Sequence, residues 1–282
     1  MSPAQLAESD LSRARDELAT CLQVDDLGPQ LHQLTLRAPG IARSARPGEF
    51  AQLQVAPGPL LRRPFSFSGV DGERGTISFY LRVYGEGTRR LAQLRPGSRL
   101  RVLGPLGRGF SLPAGPGRSL LVAGGVGAAP FPHLAERLLA QGERVTWLNG
   151  AASADQLYPL SLMPSSLDGV VQITADGSSG REGLVTEALG ERLEGTDRVY
   201  ACGPNPMLLA VTEMAARLRP QAVVEVSIEA PMGCGFGTCL GCAVPLRMNG
   251  SPVSGLCCRQ GPVLEAAQVD WEGLRRQPAH LE

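Results

Sequence analysis

Short apolar or alternating runs, each closed off by proline or glycine, fill the first part of the chain: Leu31 to Leu36, Phe50 to Val55, Thr76 to Val83 and Arg99 to Leu103. Runs of this length and period predict strands, and their succession from Cys21 to about Pro113 predicts an antiparallel β-barrel. The stretch Leu112-Pro113-Ala114-Gly115-Pro116-Gly117 breaks the pattern and predicts a domain boundary near residue 115. Beyond it the periods change. Ser119 to Val122 is a continuous apolar run, Leu134, Leu138 and Leu139 recur at helical spacing, and Arg144 to Leu148 is a second strand. Val170 to Ile173 and Arg198 to Ala201 then alternate with helices around Thr186 to Leu193 and Pro206 to Leu218, which predicts βαβ units on a parallel sheet. Val223 to Glu229 is the expected last strand of that sheet. After it, periodicity gives way to glycine and cysteine, so the segment is expected to be organised by something other than a hydrophobic core.

The predicted organisation is therefore multidomain, β followed by α/β. A flexible extension covers residues 1–16, a β-barrel 17–114, an α/β nucleotide-binding domain 115–229 and a small cysteine-rich module 230–282. The length of 282 residues suits such a division. With 27 basic and 27 acidic side chains the formal charge is zero, which gives no pull toward nucleic acid or an anionic membrane. Residues 1–20 carry no apolar stretch of the signal-peptide kind, and no run is long enough to span a bilayer, so a cytoplasmic location without membrane insertion is expected.

Seven cysteines, five of them between residues 234 and 258, argue against a disulfide framework and for metal. Cys234, Cys239 and Cys242 have C-x4-C-x2-C spacing, the plant-type 2Fe-2S pattern when a fourth cysteine follows. Interleaved Gly233, Gly235, Gly237 and Gly241 permit tight turns and leave amides free to donate to sulfur. A structural zinc site usually pairs C-x2-C twice, a pattern absent here. Spacing alone leaves the fourth ligand open between the neighbours Cys257 and Cys258.

Two strand-to-helix turns suit a nucleotide. Gly124, Gly125 and Gly127 precede Pro130, and Cys202, Gly203 and Pro204 follow Tyr200. Unhindered backbone at a helix N-terminus suits pyrophosphate, although close packing of strand on helix also demands glycine. In the barrel, Arg63-Pro64-Phe65-Ser66 ends a strand with a guanidinium, an aromatic ring and a hydroxyl together. An arginine there can clamp phosphate; the plainer reading is an exposed arginine beside a core phenylalanine. Tyr80-Leu81-Arg82 and the turn at Gly87-Thr88 add a second arginine and a second phosphate candidate.

Taken in order, Arg63 to Ser66, Gly87-Thr88, the Gly124 to Pro130 turn, Tyr200 to Pro204 and the cysteine loop resemble the ferredoxin reductase superfamily. Within it they look like the electron-transfer subunits of class 1B dihydroorotate dehydrogenases, over residues 17 to 265 or so. The segment Ser227-Ile228-Glu229-Ala230-Pro231-Met232-Gly233-Cys234 is among the most specific parts. The resemblance implies FAD between barrel and nucleotide domain, with Arg63, Pro64, Phe65, Ser66, Tyr80, Leu81, Arg82, Gly87 and Thr88 as flavin contacts. It also implies NAD at Gly124, Gly125, Gly127, Cys202, Gly203 and Pro204. Because the family's last ligand stands two residues before a Gly-Pro-Val segment, Gly261-Pro262-Val263 selects Cys258, with Cys257 as fallback. Phe65 and Phe67 stand where the family commonly has aliphatic residues, a difference of packing around the flavin.

The implied activity is that of an oxidoreductase subunit in pyrimidine biosynthesis. Electrons from dihydroorotate reach FMN in a separate catalytic subunit, pass the 2Fe-2S cluster and FAD, and leave on NAD; the implied assembly is a heterotetramer with two of each subunit. By the same analogy Cys202 and Glu229 border the hydride-transfer point. No arginine follows the second strand of the α/β domain to hold a 2′-phosphate, whereas Asp155 suits a free ribose hydroxyl, which favours NAD over NADP. Two rival readings share these motifs: a related subunit of a sulfide dehydrogenase or an NADH-dependent ferredoxin:NADP oxidoreductase, and a non-enzymatic redox sensor on the same fold.

Overall fold

The structure is a computed structural model that describes residues 8–55 and 61–276. Seven strands form the first sheet: β1 (Arg15–Gly28), β2 (Leu31–Arg37), β3 (Phe50–Leu53), β4 (Arg63–Ser66), β5 (Gly69–Asp71), β6 (Thr76–Arg82) and β7 (Arg99–Leu106). Their order is β4-β3-β7-β1-β2-β6-β5, with antiparallel pairing throughout. The sheet curls around Leu34, Leu36, Ala51, Leu53, Phe67, Ile77, Phe79 and Leu81, all fully buried. Its end strands β4 and β5 are not paired with each other, which makes it a half-barrel with open edges. Two short helices, α1 (Pro39–Ala42) and α2 (Glu86–Ala92), lie in its connections.

The second sheet contains β8 (Arg118–Gly124), β9 (Arg144–Ala151), β10 (Gly169–Thr174), β11 (Arg181–Glu182), β12 (Arg198–Cys202) and β13 (Val223–Ser227). All six are parallel in the order β11-β10-β9-β8-β12-β13. The helices around it are α3 (Phe131–Leu139), α4 (Gly190–Leu193) and α5 (Asn205–Leu218). Leu134 and Leu138, at helical spacing on α3, are completely buried, which is what fixes that helix on the sheet. The sheet does not end at β13.

The C-terminal module departs from the sequence expectation. It contains a hairpin, β14 (Ala243–Met248) with β15 (Ser251–Leu256), then β16 (Val263–Glu265) and α6 (Trp271–Arg276). Strand β16 pairs antiparallel with β13 and so extends the α/β sheet. Val244, Leu246, Leu264, Val269 and Leu274 are buried in one continuous cluster with Val199, Leu208 and Val226 of the α/β domain. The module thus has a hydrophobic core, shared with its neighbour. Its hairpin turns at Asn249 (φ 51°) and Gly250 (φ 78°), the left-handed pair that a two-residue turn requires.

The expectation of a flexible extension over 1–16 also needs correction where the chain is described; residues 1–7 lie outside the described residues. The Ser9 amide donates to the Arg259 carbonyl (2.7 Å), Glu8 pairs with Arg259, and Arg13 reaches Glu49 and the Ser44 carbonyl (2.6 Å). Residues 8–13 therefore strap the cysteine module to the barrel. Among the described residues no helix is long and apolar enough to cross a membrane.

Candidate functional site

The cysteine loop leaves the carboxyl end of β13 and folds against β3. Its thiols are arranged as two pairs. The Cys239 amide donates to Cys234 Sγ (3.4 Å), and Cys242 Sγ lies 3.2 Å from Cys258 Sγ. No three metal-ligating side chains gather about a single point among the described residues. The two contacts fit a two-iron cluster, in which each iron takes two thiolates.

The adjacent cysteines point apart. Cys257 Sγ donates to the Ile228 carbonyl (3.4 Å) and is fully buried, whereas Cys258 faces Cys242 and Cys234. Burial pushes the Cys257 thiol upward, away from ionisation. Cys242 is drawn down to about 6 by its contact with the Cys258 thiol. At Cys234 burial opposes ionisation, but amides of Cys239, Phe236 and Thr238 outweigh it and bring the thiol down to about 7. The contact that lowers Cys242 holds the Cys258 thiol up, so Cys234 and Cys242 are the two thiols of the loop that ionise readily.

Two of its glycines are also pinned from outside. A Cβ on Gly235 (φ 83°) would stand 2.8 Å from Gln52 Cγ of β3, and one on Gly237 (φ 94°) 2.9 Å from Arg259 Cγ. Gln52 and Arg259 escape a sequence reading, because a glutamine in a strand and an arginine after a cysteine carry no motif.

Next to β3, at the edge of the half-barrel, β4 places Arg63, Pro64, Phe65 and Ser66 side by side and half-buried. An edge strand keeps unpaired backbone groups on its outer side, and a proline is tolerated there. The Arg63 side chain crosses Gly87, whose Cβ would sit 3.1 Å from Arg63 Nε. Its guanidinium donates to the Leu61 carbonyl (2.8 Å) and forms no ion pair among the described residues, so its charge is open to an anion. Thr88 is differently engaged: its hydroxyl accepts from the Tyr84 and Gly85 amides (3.1 and 3.2 Å) and shapes the turn into α2. Phe65 packs toward Phe79, with ring centroids 6.3 Å apart.

The Tyr80-Leu81-Arg82 group is not brought together on one face. Leu81 lies in the barrel core and Arg82 is exposed, while Tyr80 is buried edge-on against Tyr158 at 4.8 Å. The Tyr80 hydroxyl has no hydrogen-bond partner, and neither do the Ser68 hydroxyl and both amide atoms of Gln52.

In the α/β sheet the strand order reverses between β8 and β12, and the turns after those two strands meet there. Such a switch point opens a crevice at the carboxyl edge of the sheet. A Cβ on Gly127 would stand 2.4 Å from the Cys202 carbonyl oxygen, so this glycine is required by packing of turn on turn. Gly125 (φ 55°) has nothing within 4 Å of its would-be Cβ and faces open space. Gly203 and Pro204 form the opposing wall, ahead of α5. Cys202 is buried and pushed up to about 12 by burial, which makes it a packing residue rather than a reactive thiol. Glu229 sits close enough to influence both Cys202 and Cys257, so this crevice adjoins the base of the cysteine loop.

Comparison with known proteins agrees with this layout. Residues 229–270 match the iron-sulfur cluster binding domain of dihydroorotate dehydrogenase B, and residues 121–213 match the oxidoreductase NAD-binding domain. The dihydroorotate dehydrogenase B (NAD(+)) electron transfer subunit of Desulforamulus reducens is 37% identical over 258 residues, which cover 90% of this chain and 98% of that protein. The corresponding subunit of Geobacillus thermodenitrificans is 37% identical over 86% of this chain and 94% of its own length. The chain belongs to this family of electron-transfer subunits. Membership makes it an oxidoreductase component that works with FAD, a 2Fe-2S cluster and NAD. Among solved structures, the NADH-dependent reduced ferredoxin-NADP oxidoreductase superposes with a TM-score of 0.81 at 26% identity, over 93% of both chains. The ferredoxin reductase of carbazole 1,9a-dioxygenase superposes at 0.65 and shares the fold.

Proposed function

We propose that this electron-transfer subunit carries electrons released by dihydroorotate oxidation, in a separate FMN-containing catalytic subunit, to NAD. The observation that carries the proposal is convergence. The cysteine loop springs from β13, rests on β3 beside the Arg63 to Ser66 strand, and adjoins the crevice between β8 and β12. Flavin supplies the junction such a path needs, because it exchanges electrons singly or in pairs whereas a cluster passes one and nicotinamide two.

The residues divide the work as follows. Cys234, Cys239, Cys242 and Cys258 would hold the cluster; Cys257 stays a buried thiol on the Ile228 carbonyl. Arg63 clamps the flavin pyrophosphate beside Gly87-Thr88, and Pro64, Phe65 and Ser66 present the edge-strand backbone and the serine hydroxyl to the ring. From the strand opposite, Tyr80 fixes the junction with Tyr158, Leu81 anchors the strand in the barrel core and Arg82 stays open to the flavin's polar end. Gly124, Gly125, Gly127, Cys202, Gly203 and Pro204 shape the nicotinamide crevice. Asp155, exposed in the turn after β9, accepts from the ribose 2′-hydroxyl and disfavours a 2′-phosphate. Phe236 (41% exposed) and Leu240 (65% exposed) give the cysteine loop an apolar outer surface against which the catalytic subunit docks.

Reconstitution with the FMN-containing subunit tests the reading. Dihydroorotate-dependent reduction of NAD, absent with either subunit alone, is expected. A complex loaded with cluster and FAD that instead requires ferredoxin and NADP would assign the chain to the rival arrangement. Arg63→Ala is expected to weaken FAD binding roughly tenfold to a hundredfold, as loss of a charge-assisted phosphate contact does. Fluorescence of released flavin on dilution measures it.

A further inference from the structure

Gln52 is a fully buried carboxamide with no hydrogen-bond partner on either its oxygen or its nitrogen. Leaving both ends of an amide unpaired in a protein interior is costly, so a buried glutamine in this state calls for a partner. Its neighbours say where that partner lies. Along β3 the side chains alternate: Ala51 and Leu53 enter the barrel core, while Phe50 belongs to the core shared by the α/β domain and the cysteine module. Gln52 shares the side of Phe50 and lies beneath the cysteine loop, with Nε2 2.9 Å from the position a Cβ would take on Gly235. Gly235 follows Cys234 directly.

A Met or Leu of similar volume would fill the same space without an unpaired amide. A carboxamide at this position is explained by something polar on the loop side that the loop's own residues do not supply. Across the loop, Arg259 packs on Gly237 and also keeps one buried guanidinium nitrogen, Nη1, without a partner. Unmatched N–H groups thus border the loop from both sides.

We propose that Gln52 is a positioning residue for the cluster: its amide N–H donates to sulfur on the Cys234 side and raises the cluster's reduction potential. The proposal deepens the functional reading above and rests on its assignment of the four cysteines. Its physical basis is general. Reduction adds negative charge to a cluster, so a donor to its sulfurs stabilises the reduced form more than the oxidised one. The barrel strand that adjoins the flavin motif would thereby set the driving force of the step arriving from the cluster.

The test is an EPR-monitored redox titration of the intact, cofactor-loaded complex, with the flavin midpoint followed by absorbance in the same samples. Gln52→Met, which keeps length and volume but lacks the donor, is expected to lower the reduced-to-oxidised ratio of the cluster about tenfold at fixed ambient potential, or about 59 mV for a one-electron couple. The flavin midpoint should stay put. Gln52→Asn, which keeps the carboxamide, should recover part of the shift. A cluster potential unchanged in Gln52→Met overturns the proposal, and so does a flavin midpoint that moves while the cluster's does not, which would make Gln52 a flavin contact. If Gln52→Met does not fold, Gln52→Leu is held to the same two outcomes. A wild-type protein without a 2Fe-2S spectrum would be a failure of the underlying functional reading, recognisable before any variant is made.

Discussion

Cys258→Ser is expected to abolish the visible absorbance and the EPR signal of the cluster, whereas Cys257→Ser should retain both. The two residues are neighbours in sequence and equally buried, so composition and burial predict equal effects. Their directions differ. Cys258 Sγ stands 3.2 Å from Cys242 Sγ and faces Cys234, while Cys257 Sγ is committed to the Ile228 carbonyl on the opposite side of the strand end. In the first variant, dihydroorotate-driven reduction of NAD by the assembled complex should fall to background. NADH oxidation by a two-electron acceptor should persist, because that route needs only the flavin and the crevice. In the second, serine still donates to Ile228, and the loss should be confined to stability, about 1 kcal/mol in denaturant unfolding. A cluster lost in Cys257→Ser but kept in Cys258→Ser would reverse the ligand assignment.

The contrast between these cysteines shows what spacing can and cannot say. C-x4-C-x2-C is a local pattern, and the loop it describes is nearly self-contained, so three thiols and the glycines between them were readable from the chain. The fourth thiol arrives from a separate segment whose direction is set by the hairpin β14–β15 and by the seating of Gly261 and Pro262. No local rule gives that direction; in the sequence only the resemblance of Gly261-Pro262-Val263 to the family points to it.

The same distinction runs through the fold. Strands with one buried face, such as β2 and β6, show clean alternation and are legible. Strand β1 is not: over Arg15–Gly28 only Ala19 and Cys21 are buried, so its long, half-exposed run carries no alternation that marks it as a strand. Strand β16 is only Val263–Glu265 and joins the sheet from beyond the cysteine loop, where periodicity had already lapsed. The hairpin before it was in principle readable. Asn249-Gly250 between Val244, Leu246 and Val253 is a strong turn signal, masked here by the density of cysteine and glycine around it. At the site, the motif residues of β4 were legible because guanidinium, proline, ring and hydroxyl stand consecutively. Gln52 and Arg259 were not, since their meaning lies in what they touch.

The glycine turn after β8 separates two uses of the same residue type, and its variants should separate as well. Gly127→Ala places a methyl 2.4 Å from the Cys202 carbonyl oxygen, a backbone atom that a side-chain rotation cannot move aside. It should destabilise the protein by about 3 kcal/mol or more, visible as a lowered unfolding midpoint even without nucleotide. Gly125→Ala meets no atom, and its only structural penalty is a left-handed backbone, about 1 kcal/mol. If Gly125 faces the nicotinamide crevice as proposed, the added methyl should instead weaken NADH binding by roughly tenfold or more, measured by calorimetry on a protein whose stability is nearly unchanged. Equal NADH affinity in Gly125→Ala and wild type would confine the turn to packing, and the pyrophosphate would then have to be held elsewhere along the β8 and β12 edge.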